Sequence, residues 1–356
     1  MAIVNQILPN LEWGDAISNY AILLGRVLRR LGHRSRIYAR FIHPRFYFRA
    51  RSLGAVRRLA GHPDIVWLYH YSTGSEATRA VRNLAGRVVL LFHNITPPSL
   101  IAQTGASQAA QLHAAGEELK SLVGLPRVAA ASSEFNRSRL TDLGFPDVEL
   151  LPIILDYGRY DRASKRSIAA SYRDGGVNFL TVGRVAPHKK IEDVIRIFRD
   201  YHETINPHSR LFVVGNAKET EEYRERLVEF CRNLTLSNVY FTGKVPFREL
   251  LAYYRIADVY LCMSEHEGFC VPLLESMILG VPVIAHLCTA VGETLGDAGI
   301  LVREKRFDEI AEMAHLLVSD KELRARVINK QRERAHFFNE DSLVRQLNRI
   351  LARARE

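Results

Sequence analysis

The chain has 356 residues, 47% hydrophobic and 25% charged, with 22 Gly and 13 Pro, an ordinary globular composition whose length favours two domains over one. No apolar run approaches the roughly 20 residues of a membrane span. The net charge of +10 is uneven: residues 1–63 hold eleven Arg, no Lys and two acids, and the rest of the chain is close to neutral. A local excess of this kind suits either an anionic partner or a plain solvated basic surface.

The opening "MAIVNQILPN" has no basic leader before its apolar stretch and is expected to be a first strand rather than a secretory signal. Further strands are expected at "RSRIYA", "DIVWLY", "RVVLLFH", "RVAAAS" and "VELLP", then at "NFLTVG", "RLFVVG", "NVYFTG", "DVYLCMS", "PVIA" and "GILV". Most are near-continuous apolar runs, the pattern of parallel strands buried on both faces. Periodic segments such as "EDVIRIFRDYHE" and "EEYRERLVEFCRNL" read as crossover helices. The expected fold class is α/β, with two Rossmann-like, doubly wound parallel-sheet domains. Residues 1–157 make the first domain, 158–177 a polar linker, 178–335 the second domain, and 336–356 a terminal helix that could cover either domain. The cysteines (Cys231, Cys262, Cys270, Cys288) show no CxxC spacing, which fits a reduced, cytoplasmic protein.

Ligands of open α/β sheets bind outside the carboxyl ends of the strands. Gly14, His93, Gly183, Arg184, Gly215, Gly243 and Glu267 all fall at such ends. Two sheets whose loaded edges face each other would hold the site between the domains.

In "TVGRVAPHKK", Gly183 permits close backbone approach, and Arg184 and Lys189 precede a helix, an arrangement suited to a diphosphate. A surface turn with incidental basic residues is the competing reading. In "EHEGFCVPLLE", Pro272 is pre-set for a first helical turn, so free N–H groups around Phe269 to Leu273 point outward from the helix start. Glu267 and Glu275 flank that start, and ionised carboxylates accept hydrogen bonds from vicinal diols. Alternatively Glu275 is a helix-start acid and Glu267 a solvated loop residue, as the neighbouring His266 is expected to be. The two motifs together favour a site for a phosphate and sugars. No DxD, HExxH or CxxC metal-ligand set is present, and neither is a P-loop or a GxGxxG.

The segments "GRVAPHKK", "VPFRELLAYYRIADVYLCMSEHEGFCVPLLESMILGVPVIA" and "GDAGILV" resemble the retaining nucleotide-sugar glycosyltransferases of family 4, which have the GT-B fold. The resemblance is dense from about Asn178 to Val302. Upstream, "EWGDAISNYA", "YHYSTGS" and "FHNITPP" are similar to a branch that builds bacterial polysaccharides. It implies that Arg184 and Lys189 hold the donor diphosphate, Glu275 the ribose and Glu267 the transferred sugar. Gly183 and the backbone of Phe269, Cys270 and Val271 would face sugar and phosphate, with the base near Gly243 and Val245. Gly14 would let a loop approach the diphosphate, and His93 would contact the sugar near the reacting carbon. The family often has Gly where Cys270 stands, and a small residue that fits is the reading taken here over a nucleophile.

The implied reaction moves a hexose from a GDP- or UDP-linked sugar to a saccharide or lipid-linked acceptor, with retention and with no metal ion. Mannose is favoured by the upstream motifs. Asp15 or His93 acting as a general base would instead indicate inversion. A nucleotide-sugar epimerase or a phosphorylase on the same scaffold stays open. A nucleic-acid binder is disfavoured by the Glu267/Glu275 and Arg184/Lys189 sets. Arg26, Arg29 and Arg30 share a helix face by spacing, and with Arg45 and Arg49 beside "FYF" they could rest on an anionic membrane leaflet, as a cytoplasmic enzyme using a lipid-linked acceptor would need.

Overall fold

The computed structural model describes residues 2–101 and 106–356. Thirteen strands are present among them. Those of the first sheet are β1 (Val4–Leu11), β2 (Ile37–Ile42), β3 (Ala50–Ser52), β4 (Val66–Tyr71), β5 (Arg87–Phe92), β6 (Val128–Ala131) and β7 (Glu149–Leu150). The second sheet takes β8 (Val177–Val182), β9 (Ser209–Val214), β10 (Val239–Gly243), β11 (Val259–Cys262), β12 (Val283–His286) and β13 (Ile300–Val302). Their orders are 3-2-1-4-5-6-7 and 10-9-8-11-12-13, with every pairing parallel. Strand order therefore reverses between β1 and β4 in one sheet and between β8 and β11 in the other, the places where doubly wound sheets open a crevice.

Central strands are largely apolar because helices cover both faces; all six residues of β4 and of β9 are buried, the polar His70, Ser209 and Arg210 among them. The edge strand β3 escaped the reading of the sequence. It is three residues long, "ARS", with Arg51 and Ser52 exposed, and so carries no apolar signature. β1 takes in Pro9 and ends at Leu11, one residue beyond the expected stretch. It pairs with β4 only from Val4 to Ile7 and thereafter with β2 alone, so the missing Pro9 N–H interrupts no central ladder.

The chain divides into two compact units. One comprises the first 98 residues together with Ser107–Leu155 and Phe338–Glu356; the other holds Asp156–Phe337 and a short piece before Ser107. The stretch 158–177 contains a helix, Arg166–Tyr172, that packs on the helix Phe247–Ile256 of the second unit. The final helix, Glu340–Arg353, buries Leu343, Leu347, Ile350 and Leu351 within the first unit, and Arg353 donates to Glu149 of β7 at 2.6 Å. The first unit's cores include one built on Trp67, Tyr69 and Phe92 and one built on Leu8, Ala21 and Ile37; a core around Phe179, Phe198 and Leu211 fills the second unit.

Candidate active site

In the second unit, β8 ends at Val182 and the chain continues through Gly183, Arg184 and a short turn to Lys189. β11 ends at Cys262 and continues through Ser264 to Glu267. The two loops leave neighbouring strands at the point of reversal and are sewn together. Glu265 N–H donates to the His188 carbonyl at 2.8 Å, and Lys190 lies 3.5 Å from the Glu265 carboxylate. Lys189 Nζ donates to Glu267 Oε1 at 2.7 Å, and Ser264 Oγ donates to the same oxygen at 2.7 Å. Oε2 of Glu267 receives no hydrogen bond among the described residues. Thr289 clamps the backbone, accepting from Glu267 N–H and donating to its carbonyl, both at 2.8 Å.

A cavity lined by Gly183, Arg184, Lys189, Tyr260, Ser264 and Glu267 lies between these loops. Its floor is tight. Gly215, at the end of β9, approaches so closely that a Cβ there would stand 1.7 Å from the Gly183 carbonyl oxygen. Both glycines have φ near +150° (+152° and +154°), which side chains rarely allow.

Burial pushes the Lys189 ammonium down, but Glu267 and the two thiols nearby outweigh it and hold the group above the usual lysine range. Arg184 is lowered by burial, with partial compensation from Glu219 at 4.0 Å, and its side chain is half-exposed. His188 is pushed down to about 2, first by burial and then by Lys189, Arg184 and His266. His266, expected to be solvated, is buried.

Glu275 sits one to two turns into the helix Val271–Leu279, away from the Glu267 carboxylate's partners. Tyr160 donates to its Oε1 and Tyr254 to its Oε2, each at 2.8 Å. Burial raises this carboxyl above its ordinary value, and the two tyrosine hydroxyls only partly counter it. Neither tyrosine was singled out from the sequence. Tyr254 belongs to the apolar face of a crossover helix and Tyr160 to a polar stretch, so only the tertiary packing brings them to one carboxylate.

The start of that helix departs from the ordinary. Cys270, its N-cap, has φ +67°, the left-handed region that favours glycine. This supplies the physical reason for a glycine at the matching position in the family that the sequence resembles. Its thiol lies 4.0 Å from that of Cys262, and both sulfurs stand within 4.8 Å of a Glu267 oxygen. Such a trio has donors that could hold a soft cation, though the Lys189 ammonium already neutralises the carboxylate. Phe269, Cys270 and Val271 form the helix entry, whose first N–H groups have no partner within the helix. Gly243 and Val245 lie at the end of β10, where Gly243 adopts φ +67°.

In the first unit, Gly14 (φ +71°) follows β1, and Asp15 accepts from Ser18 N–H at 2.8 Å as the N-cap of the helix Ala16–Arg30. His93 stands just past β5, and burial holds it down to about 3. Arg26, Arg29 and Arg30 are exposed on that helix, with Arg30 paired to Glu340. Arg45 lies 4.8 Å over the Trp13 ring, and Arg49 is exposed beside Tyr47 and Phe48, two of the most exposed large apolar side chains among the described residues.

These two Rossmann-like units are those of GT-B structures. Anabaena HepE, solved with UDP-glucose, superposes with a TM-score of 0.75 at 17% identity, covering 98% of this chain and 99% of that one. Sucrose-phosphate synthase of Thermosynechococcus elongatus gives 0.74 at 16% identity over 99% and 98% of the two chains. Residues 168–334, nearly the whole of the second unit, match the family described as Glycosyl transferases group 1. Among curated relatives, O-antigen chain mannosyltransferase B of Escherichia coli is 29% identical over 140 residues, 39% of this chain and 36% of that protein. An uncharacterized glycosyltransferase of Methanocaldococcus jannaschii is 29% identical over 151 residues, 42% of this chain and 38% of its own length. The match thus spans well under two thirds of either relative.

Proposed function

We propose that the protein is a retaining, metal-independent hexosyltransferase that moves a sugar from a nucleoside diphosphate to a saccharide or lipid-linked acceptor. The observation that carries this reading is the meeting of the Gly183–Lys189 loop with Glu267 in one cavity at the β8/β11 reversal, inside the region matched to the transferase family. The HepE structure with UDP-glucose supports a nucleoside diphosphate sugar as donor, and the E. coli relative's name supports mannose.

Cleavage of the anomeric C–O bond builds negative charge on the departing diphosphate. Arg184, half-exposed in the cavity, and the helix start at Phe269 to Val271 would meet that charge with fixed positive dipoles and a cation. Lys189 pins Glu267 so that its unused Oε2 can accept from a sugar hydroxyl. Glu275, with one tyrosine on each oxygen, retains lone pairs for the ribose diol. Gly243 and Val245 would border the base.

Retention is supported by the poverty of bases. Asp15 is engaged as a helix cap, and His93, held near a pKa of about 3, is a weak proton acceptor. The departing phosphate oxygen would then take the acceptor's proton on the same face. Arg45 and Arg49, with Tyr47 and Phe48 projecting beside them, would rest on the anionic inner leaflet as a peripheral contact, and Arg26 and Arg29 would add to the positive charge of the same unit. Failure to sediment with anionic vesicles at physiological salt would remove that part.

The test is a thermal-shift panel with UDP, GDP and ADP on wild type and Glu275→Ala, paired with release of nucleotide from UDP-glucose and GDP-mannose. A nucleotide at a hundredfold excess over its Kd should add about 2.7 kcal/mol to wild-type stability and far less to the variant. No shift with any of the three, and no turnover of either sugar nucleotide, would defeat the reading.

A further inference from the structure

The first sheet carries a buried polar staircase. Gln6 on β1 pairs in register with Leu68 of β4, and His70 lies two residues further along that strand on the same face. His70 in turn pairs with Leu91 of β5, and His93 lies two residues beyond it, again on the same face. Each step advances toward the carboxyl edge of the sheet. The steps are joined: His70 Nε2 lies 2.9 Å from Gln6 Oε1, and His70 Nδ1 lies 2.9 Å from His93 Nε2. The two imidazoles are within 8° of coplanar with centroids 5.1 Å apart, so they meet edge to edge in one plane. Gln6, His70 and His93 are all more than nine-tenths buried.

The direction of every proton follows from one end. Gln6 Nε2 donates to the Ala21 carbonyl at 3.1 Å, and a carbonyl can only accept, so the amide is fixed with Oε1 toward His70. An oxygen facing His70 Nε2 requires a hydrogen there. A neutral His70 then has a bare Nδ1, which accepts from His93 Nε2–H. His93 is left with a bare Nδ1, a buried acceptor with no partner among the described residues. Gly25 makes room for the first link: a Cβ there would stand 3.0 Å from Gln6 Nε2. The Tyr20 ring stands edge-on to both imidazoles, at 6.2 Å and 6.0 Å, and its buried hydroxyl is likewise unpartnered.

We infer that Gln6 and His70 are positioning residues that lock His93 in one tautomer, so that its Nδ1 accepts a hydrogen bond from a hydroxyl group of a bound polyol. Resting on the transferase reading, this makes the ligand a sugar whose hydroxyl donates to His93, and it excludes His93 as a hydrogen-bond donor to the phosphate. A bare buried acceptor costs free energy unless a ligand satisfies it, which is how a site comes to prefer a hydroxyl over its absence. Neither Gln6 nor His70 need touch the sugar.

The experiment is long-range 15N–1H correlation on the full chain, with 15N-imidazole histidine, at pH 7.5. His93→Gln assigns the signals, and Gln6→Leu is the test variant. Ligand-free wild type should show His93 protonated at Nε2 and bare at Nδ1. In Gln6→Leu, whose folding is checked by its melting transition, the single tautomer should give way to a mixture. Saturating GDP-mannose or UDP-glucose, whichever the thermal panel selects, should move the Nδ1 signal upfield, while GDP or UDP alone should not. An Nδ1–H tautomer or an imidazolium in the free protein overturns the inference, as does a Gln6→Leu spectrum identical to wild type. A sugar nucleotide that raises the melting temperature yet leaves Nδ1 unmoved overturns the sugar contact. Absence of any nucleotide binding defeats the transferase reading instead, and the ligand-free spectrum still decides whether the relay exists.

Discussion

In the second unit Lys189, Ser264 and Glu267 meet where β8 and β11 diverge; in the first, Gln6, His70 and His93 step across β1, β4 and β5. Both clusters occupy the carboxyl side of a doubly wound sheet, and both are largely buried. One is built from opposite charges, the other from neutral groups whose protons are ordered end to end. A charged pair can survive burial only with its partner in place, whereas a neutral relay survives by excluding the proton that would charge it. The first suits a site that must meet developing charge. The second suits a site that reads hydroxyl groups without ionising.

Substitutions separate the two designs by size. The largest effect is expected from Gly215→Ala, whose Cβ would fall 1.7 Å from the Gly183 carbonyl: a loss of about 4 kcal/mol or more by urea unfolding. Gly14→Ala, strained by its φ of +71°, should cost about 1–2 kcal/mol. Equal losses at the two positions would show that the second unit's loops are less tightly crossed than described. Lys189→Met comes next. It leaves Glu267 buried beside Ser264 alone and should cost about 2–3 kcal/mol, below the range for fully buried pairs because Lys189 keeps a fifth of its side chain exposed. A change under about 0.5 kcal/mol would mean that the pair contributes only as a surface bridge.

The neutral histidines respond to pH instead. An unfolded histidine takes up its proton near pH 6.5, while His93 and His188 wait until about 3 and about 2. Between those values the unfolded chain binds more protons, so their contribution is complete above pH 6.5 and fades as the pH falls. At pH 5 each should have cost the fold about 2 kcal/mol. Melting curves at pH 7.5 and pH 5 should therefore draw closer when His93→Gln and His188→Gln are combined, with part of the remaining gap owed to His70, which burial also holds well below the usual histidine range. An unaltered pH slope in the double variant would locate the acid sensitivity elsewhere.

The smallest effect should be a gain. Cys270→Gly relieves a left-handed residue at a helix entry, with a benefit of up to about 1 kcal/mol after the glycine's greater unfolded entropy is subtracted. A loss would mean that the buried contact with the Cys262 thiol outweighs the backbone strain.

Twelve of the thirteen strands could be read from their apolar runs, because strands covered on both faces need apolar residues at most positions. β3 could not, since an exposed three-residue edge asks nothing of its side chains. The motif glycines, Arg184, Lys189 and the two glutamates were equally legible, for strand ends and helix starts demand particular residue types. Partnerships were not. That Lys189 would spend its charge on Glu267, that Tyr160 and Tyr254 would share Glu275, and that Gln6 would orient His93 through His70 depend on strand order and register. Those relations join residues from 64 to 115 positions apart for Gln6–His70 and Tyr160–Glu275. Local composition decides which elements form, whereas hydrogen bonds inside a sheet edge depend on which strands become neighbours, and no local pattern encodes that choice.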